Sequence, residues 1–301
     1  MITVAQRPNT TVLGPPALLL VTGTLLGTMF GLGKVATQAG VVPLAYVLAM
    51  HLGAGAILTV TAMRRTGGVP ASARHVRYYA LSGLFSMAVP NTVLLIVIPH
   101  LGAGLASVVY ALPALFTLVL ASALKVGPPP TRLGSIGIGL GALGTLLILS
   151  PETGLPSANL WLWMLLALAI PVSVAIGNVY RTIDWPKDAS PLALAAGMLF
   201  GASGWLAIGL IATGSWVDLG TLTRAPVAVT AQAFVSAITF VFYFRLQLLA
   251  GPVYMSQIGY VMTATGLASG VFLLEESYPS VVWLAVGLIA FGVVLTTRAR
   301  G

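Results

Sequence analysis

Apolar residues fill this chain in long runs, separated by short stretches that hold most of its charges. A bilayer core takes roughly 20 mostly apolar residues per helix. Ten runs of that kind are present: 16–36, 42–63, 79–99, 103–124, 133–149, 160–180, 190–213, 226–250, 253–274 and 279–297. Alternation of apolar and polar positions is missing, and every run exceeds the roughly 9–11 residues of a barrel strand, so helices are predicted. The expected fold is an all-α integral membrane protein with ten transmembrane helices. The first run is too long for a signal-peptide core and leads directly into more membrane, so no cleaved targeting segment is expected.

The runs are related to one another. Pro43-Leu44-Ala45, Met50 and Gly53-Ala54 in span two recur as Pro191-Leu192-Ala193, Met198 and Gly201-Ala202 in span seven, six identities in twelve positions at an offset of 148. The same offset carries Gly139 and Gly144 of span five to Gly287 and Gly292 of span ten, and an offset of 149 carries Gly102 and Ser107 to Gly251 and Ser256. Three matches at nearly one offset argue for a duplicated five-helix unit, with a first repeat over 1–150 and a second over 151–301. An odd number of spans forces the second copy to enter from the opposite face. Inverted repeats of this kind surround a central cavity in many secondary transporters, because two conformations related by the pseudo-symmetry axis open one site to each side in turn.

Composition narrows the picture. Hydrophobic residues make up 58% of the chain and charged residues 7%, with a mean hydropathy of +1.00. A water-facing domain carries about 25% charged residues, so most of this surface must face lipid and no separate soluble domain fits. The net charge of +8 reflects placement rather than a nucleic-acid patch. With the N-terminus in the cytoplasm, Arg7, Arg64, Arg65, Arg74, Arg77, Lys125, Arg132, Arg181, Lys187, Arg245, Arg298 and Arg300 all fall inside, leaving Lys34 and Arg224 outside. That segregation obeys the positive-inside rule. It predicts an inner-membrane, multi-pass protein with both termini cytoplasmic. Cysteine is absent, which removes disulfides, thiolate nucleophiles and cysteine metal sites. Gly139, Gly141 and Gly144 spell a dinucleotide fingerprint but lie inside span five with no strand before them, so they read as packing residues, as do Gly23, Gly27 and Gly31.

The chain resembles the EamA-like family of the drug/metabolite transporter superfamily over nearly its whole length. The resemblance rests on Phe30 and Lys34 closing span one; Gly102-Ala103-Gly104, Ser107, Tyr110 and Pro113 in span four; and Gly139 and Gly144 in span five. In the second half it rests on Gly251-Pro252-Val253-Tyr254, Ser256-Gln257, Gly259-Tyr260, Gly266, Leu274-Glu275, Pro279, Gly287 and Gly292. It implies ten helices, a cavity lined by spans one to four and six to nine, spans five and ten as peripheral supports, and export of amino acids, other metabolites or drugs. The family often places a glutamate after span four, where this chain reads Lys125-Val126-Gly127-Pro128-Pro129-Pro130.

Span eight carries Gln232, Ser236, Thr239, Tyr243 and Gln247, spaced 4, 3, 4 and 4, so all five share one helical face. Lipid cannot satisfy them, and the stripe must face protein or water. Ser107, Tyr110, Ala114 and Thr117 repeat the pattern in span four, and Ser256, Gly259, Tyr260 and Thr263 in span nine, with Gln257 adjacent. Lys34, near the outer end of span one, can snorkel to the interface or meet a substrate carboxylate at the cavity mouth. Pro90 removes a backbone donor and frees carbonyls near Asn91. Asn178 and the mid-span His51 read as packing residues. No Asp or Glu lies in the middle of a span, which favours flux down a gradient over tight ion coupling. Without paired carboxylates or a metal-binding set, an intramembrane enzyme is disfavoured. The expectation is a carrier working by alternating access, an exporter of amino acids or related small metabolites. Its substrate-binding residues would be Lys34, Asn91, Tyr110, Gln232, Thr239, Gln257 and Tyr260, with no metal and no cofactor. The alternatives are a flippase for lipid-linked sugars or a drug efflux carrier. Its partners would be a small-molecule substrate and the bilayer, with no nucleic acid, in a monomer or weak homodimer.

Overall fold

A computed structural model describes residues 13–94, 96–97, 100, 109–127, 131–148, 160–274 and 280–298. Gly102, Ser107, Glu152, Glu275 and Glu276, and the side chains of Lys34, Trp161 and Trp216, lie outside the described residues. Among those described, every regular element is helical. The α-helices are α1 Pro15–Gln38, α2 Pro43–Thr66, α3 Ala73–Gly83, α4 Pro113–Ala123, α5 Arg132–Ile148, α6 Leu160–Ala167, α7 Ala169–Ile183, α8 Pro191–Thr213, α9 Pro226–Met255, α10 Ile258–Leu274 and α11 Ser280–Arg298. A π-helical turn, Leu84–Ala88, continues α3, and a 3₁₀ segment, Ser215–Arg224, joins α8 to α9. Proline opens α1, α2, α4, α8 and α9, where its missing N–H goes unneeded. Ser190 caps α8 by accepting from the Ala193 N–H at 3.1 Å. Gly67 and Gly214 end α2 and α8 in the left-handed conformation.

Among the described residues, five helical stretches are long and apolar enough to cross a membrane: Pro15–Gln38, Pro43–Thr66, Leu165–Ile183, Pro191–Thr213 and Pro226–Met255. Large apolar side chains such as Leu162, Val119 and Leu284 stay exposed on the outside, as a lipid-facing surface requires.

Glycines set which helices touch. A Cβ at Gly23 or Gly27 would overlap Val261 or Thr265, so α1 lies directly on α10. Gly83, Gly197 and Gly201 bring α3 and α8 into backbone contact around Tyr79. Gly137, Gly144 and Gly292 do the same for α5 and α11. Beyond these pairs, α2 packs on α8, α1 also on α9, and α7 on α4 and the π-turn. The main core joins Leu18, Leu58, Tyr78, Leu194, Met198, Phe240 and Phe244. α5 and α11 share a second cluster through Ile138, Ala285 and Ile289.

Two ends can be told apart. At one, Arg224 donates to the Gly40 carbonyl at 3.0 Å and the Val42 N–H donates to Thr221 Oγ1 at 3.1 Å, tying the 3₁₀ segment to the α1–α2 turn. At the other, Arg77 donates to Asp184 at 3.1 Å and Ser190 to Thr66 at 3.1 Å, tying α2 and α3 to the α7–α8 connection.

Four predicted spans are not continuous α-helices, span six dividing at Leu168 between α6 and α7. In span three the π-turn follows from Pro90. The Val89 N–H donates to the Leu84 carbonyl, skipping Phe85, and Pro90 has no N–H with which to reach it. The orphaned Phe85 carbonyl accepts from Ser173 Oγ at 2.8 Å instead. In span four, residues 110–112 form a turn before Pro113 opens α4. Between spans eight and nine, Gly251 takes φ 74°, Pro252 follows, and a turn at Ser256 and Gln257 precedes α10.

Candidate functional site

Three of these interruptions converge. A cavity of about 220 Å³ lies among α1, α2, the π-turn, α4, α7, α9 and α10, lined by Ser86 and Met87 from the π-turn, Tyr110 from the turn before α4 and Ser256 from the turn before α10. That volume far exceeds the roughly 10–15 Å³ one water needs. Helix breaks are tolerated at membrane depth where they line a cavity.

Besides Asn91, Tyr110 and Ser256, the polar lining residues form two groups. On one side Tyr46 donates its hydroxyl to Gln232 Oε1 at 3.0 Å, and Gln232 Nε2 in turn lies 3.4 Å from Ser236 Oγ. On the other side are Ser86, Asn178 and Tyr243. The rest of the wall is rich in thioether: Met29, Met50, Met87, Met255 and Met262 all line it. These five are most of the chain's nine methionines.

Of the residues singled out from the sequence, Asn91, Tyr110 and Gln232 line this cavity. The side chain of Lys34 lies outside the described residues. Thr239, Gln257 and Tyr260 are buried with their polar atoms engaged elsewhere. Thr239 donates to the Val235 carbonyl at 2.7 Å, Gln257 accepts from Thr296 of α11, and Tyr260 donates to the Ile138 carbonyl of α5 at 3.0 Å. None of these three is among the lining side chains. The span-eight stripe is buried over its whole length, as its spacing requires. His51 is fully buried in α2, with neither ring nitrogen hydrogen-bonded.

The sequence reading missed the most consequential residue. Arg181, counted there among the cytoplasmic charges, is fully buried near the end of α7. Its Nε donates to Gln247 Oε1 at 2.7 Å, and its Nη2 donates to Asn178 Oδ1 and to the Tyr243 hydroxyl, each at 2.7 Å. Its Nη1 donates to Ser86 Oγ. The guanidinium carbon lies 5.1 Å from the Tyr243 ring centroid, within cation–π range. Asn178, read as a packing residue, belongs both to this cluster and to the cavity wall. The available signal was the three-residue spacing of Asn178 and Arg181, which puts them on one helical face toward Tyr243 and Gln247 of the stripe.

Comparison with known proteins adds three findings. A model of the EamA-like transporter family matches residues 15–150. The inner membrane transporter YedA of Escherichia coli K12, itself described as uncharacterized, is 30% identical over 266 residues, covering 86% of this chain and 82% of the relative. Its counterpart from Escherichia coli O157:H7 matches equally well. A solved crystal structure superposes with a TM-score of 0.70 at 18% identity, covering 94% of this chain and 98% of the other. At that identity it speaks for the fold alone.

Proposed function

This chain belongs to the EamA-like transporter family and is a membrane transporter, and on that premise we propose that it exports amino acids or related small metabolites by alternating access. The observation that carries the reading is a central cavity lined from both halves of the chain, at the point where three helices are interrupted. Broken helices at a shared site between repeats are how many secondary carriers bind solutes.

We further infer ten spans in two inverted repeats, 1–150 and 151–301, in the inner membrane with both termini cytoplasmic. Helix packing supports the repeat. The sequence pairs span two with seven and five with ten. Correspondingly, α2 packs on α8 and α5 on α11. α1 packs on α9 and α10, and its counterpart α7 packs on the π-turn and α4, the same relation with the halves exchanged.

In this reading Asn91, Tyr110 and Gln232 touch the solute. Thr239, Gln257 and Tyr260 hold the wall behind it, and Lys34 attracts the solute at the outer mouth. The alternative of drug efflux draws on the thioether wall, since unbranched, polarizable methionine adapts to solutes of many shapes.

Counterflow in proteoliposomes with a panel of amino acids tests the assignment. The expected result is accelerated exchange of at least one of them. Gln232→Ala should raise its half-saturating concentration about tenfold, the loss of one hydrogen bond to a charged group, while Gln257→Ala should leave it within about twofold. No exchange of any amino acid by folded protein removes the amino-acid assignment.

A further inference from the structure

Arginine carries a permanent cation with five N–H donors. Burying it is unfavourable unless an anion and further hydrogen bonds compensate. At Arg181 the hydrogen bonds are present, and no described side chain supplies the anion. Gln247, Asn178, Tyr243 and Ser86 are all neutral acceptors. Among the described residues no carboxylate lies within ion-pair distance of the guanidinium. The nearest acid in sequence, Asp184, takes hydrogen bonds from Arg77 and from Tyr180, the latter at 2.8 Å. Four of the five donors thus bond neutral oxygens, while among the described residues the charge has no counter-ion.

Three of the four acceptors, Ser86, Asn178 and Tyr243, are also cavity-lining residues. The cation therefore stands one side chain behind the cavity wall. The local backbone is shaped for this contact. The π-turn imposed by Pro90 carries Ser86 to the guanidinium, and Gly177 leaves the space it needs, since a Cβ there would overlap Ser86 Oγ. π-turns recur at functional sites. A carboxylate arriving at this wall can displace the Ser86 and Tyr243 oxygens and take the planar two-donor face that guanidinium offers.

We propose that Arg181 is the anion-binding group of this cavity and that the transported solutes carry a carboxylate that reaches it. This rests on the carrier reading above and narrows it to a substrate class. It also gives the charge at the floor of the cavity a role distinct from that of Lys34 at the mouth.

The test is binding by the purified full-length protein, read as ligand-dependent shifts in melting temperature. The probes are two acid–amide pairs, benzoate with benzamide and L-leucine with L-leucinamide. Wild type should bind at least one acid about tenfold or more tighter than its amide. Arg181→Gln should reduce that ratio to within about twofold. Should Arg181→Gln fail to fold, Arg181→Lys decides. It keeps the charge but not the bidentate fork, and should retain a preference about threefold or more weaker than wild type. Equal binding of acid and amide by wild type, or an undiminished preference in a folded Arg181 variant, overturns the proposal. Acid-selective binding without exchange in liposomes would instead remove the carrier reading and leave the anion site standing. Exchange of neutral solutes only would do the reverse.

Discussion

Gly201→Val is expected to lower the melting temperature of the folded bundle markedly. A side chain at position 201 points at the Tyr79 carbonyl and the Ala80 nitrogen, which are backbone atoms with no rotamer to escape into. The opposing face is equally tight, because a Cβ on Gly83 would strike Gly201 and Met198 backbone 2.7 Å away. Without a hydrophobic force between helices in lipid, such backbone contact is what holds a membrane bundle together. Forcing α3 and α8 apart also opens the core around Tyr78, Leu194 and Met198. Overpacking of this kind costs about 3 kcal/mol or more, a melting temperature lower by roughly 5 °C or more for a chain of this size. Thermal unfolding of detergent-purified protein reads it. Gly204→Ala, three residues along the same helix with nothing within 4 Å, should instead be neutral or stabilising by up to about 1 kcal/mol.

Gly259→Val should abolish transport while the protein still inserts. Gly259 lines the cavity at the start of α10, and a Cβ there would overlap the Tyr110 carbonyl in the turn before α4. One of the two broken helices must then move, and the Tyr110 ring moves with it. Displacements near 1 Å at a binding constellation lower rates by about 100-fold, and counterflow should fall by that order. Gly287→Ala on α11, where nothing lies within 4 Å, is the matched control and should transport normally. Equal loss in both variants would mean that glycine content rather than this crossing is what transport needs.

The two predictions turn on glycines that differ in the structure but look alike in the sequence. Helix positions were largely legible there. α2, α5, α8 and α11 begin and end within about three residues of the predicted spans, because proline, glycine and charge punctuate apolar runs in a bilayer. The inward face of span eight was legible from spacing alone, since a polar stripe has nowhere else to go. Pro90 was recognised as a break, but its effect appears upstream, at the Phe85 carbonyl, where Ser173 of a distant helix completes the bond. Gln257 escaped placement because it lies in a turn, where helical periodicity assigns no face, and its partner is Thr296 on α11. Tyr260 turns toward α5 because Gly141 leaves a notch for its ring. Arg181 was hidden by a rule that usually holds, since a basic residue at a span end is explained by topology before any other role is considered. Its burial depends on Ser86, Tyr243 and Gln247, which lie 95, 62 and 66 positions away, and no local pattern carries that information.

The chain contains no cysteine, so a single Met87→Cys variant reports on the cavity wall alone. In oriented liposomes, a membrane-impermeant thiol reagent should label it from either face, and a transported amino acid should change the two rates in opposite directions as the population shifts. Labelling from one face only, at a rate indifferent to every solute that exchanges, would contradict a cavity that opens to both sides in turn.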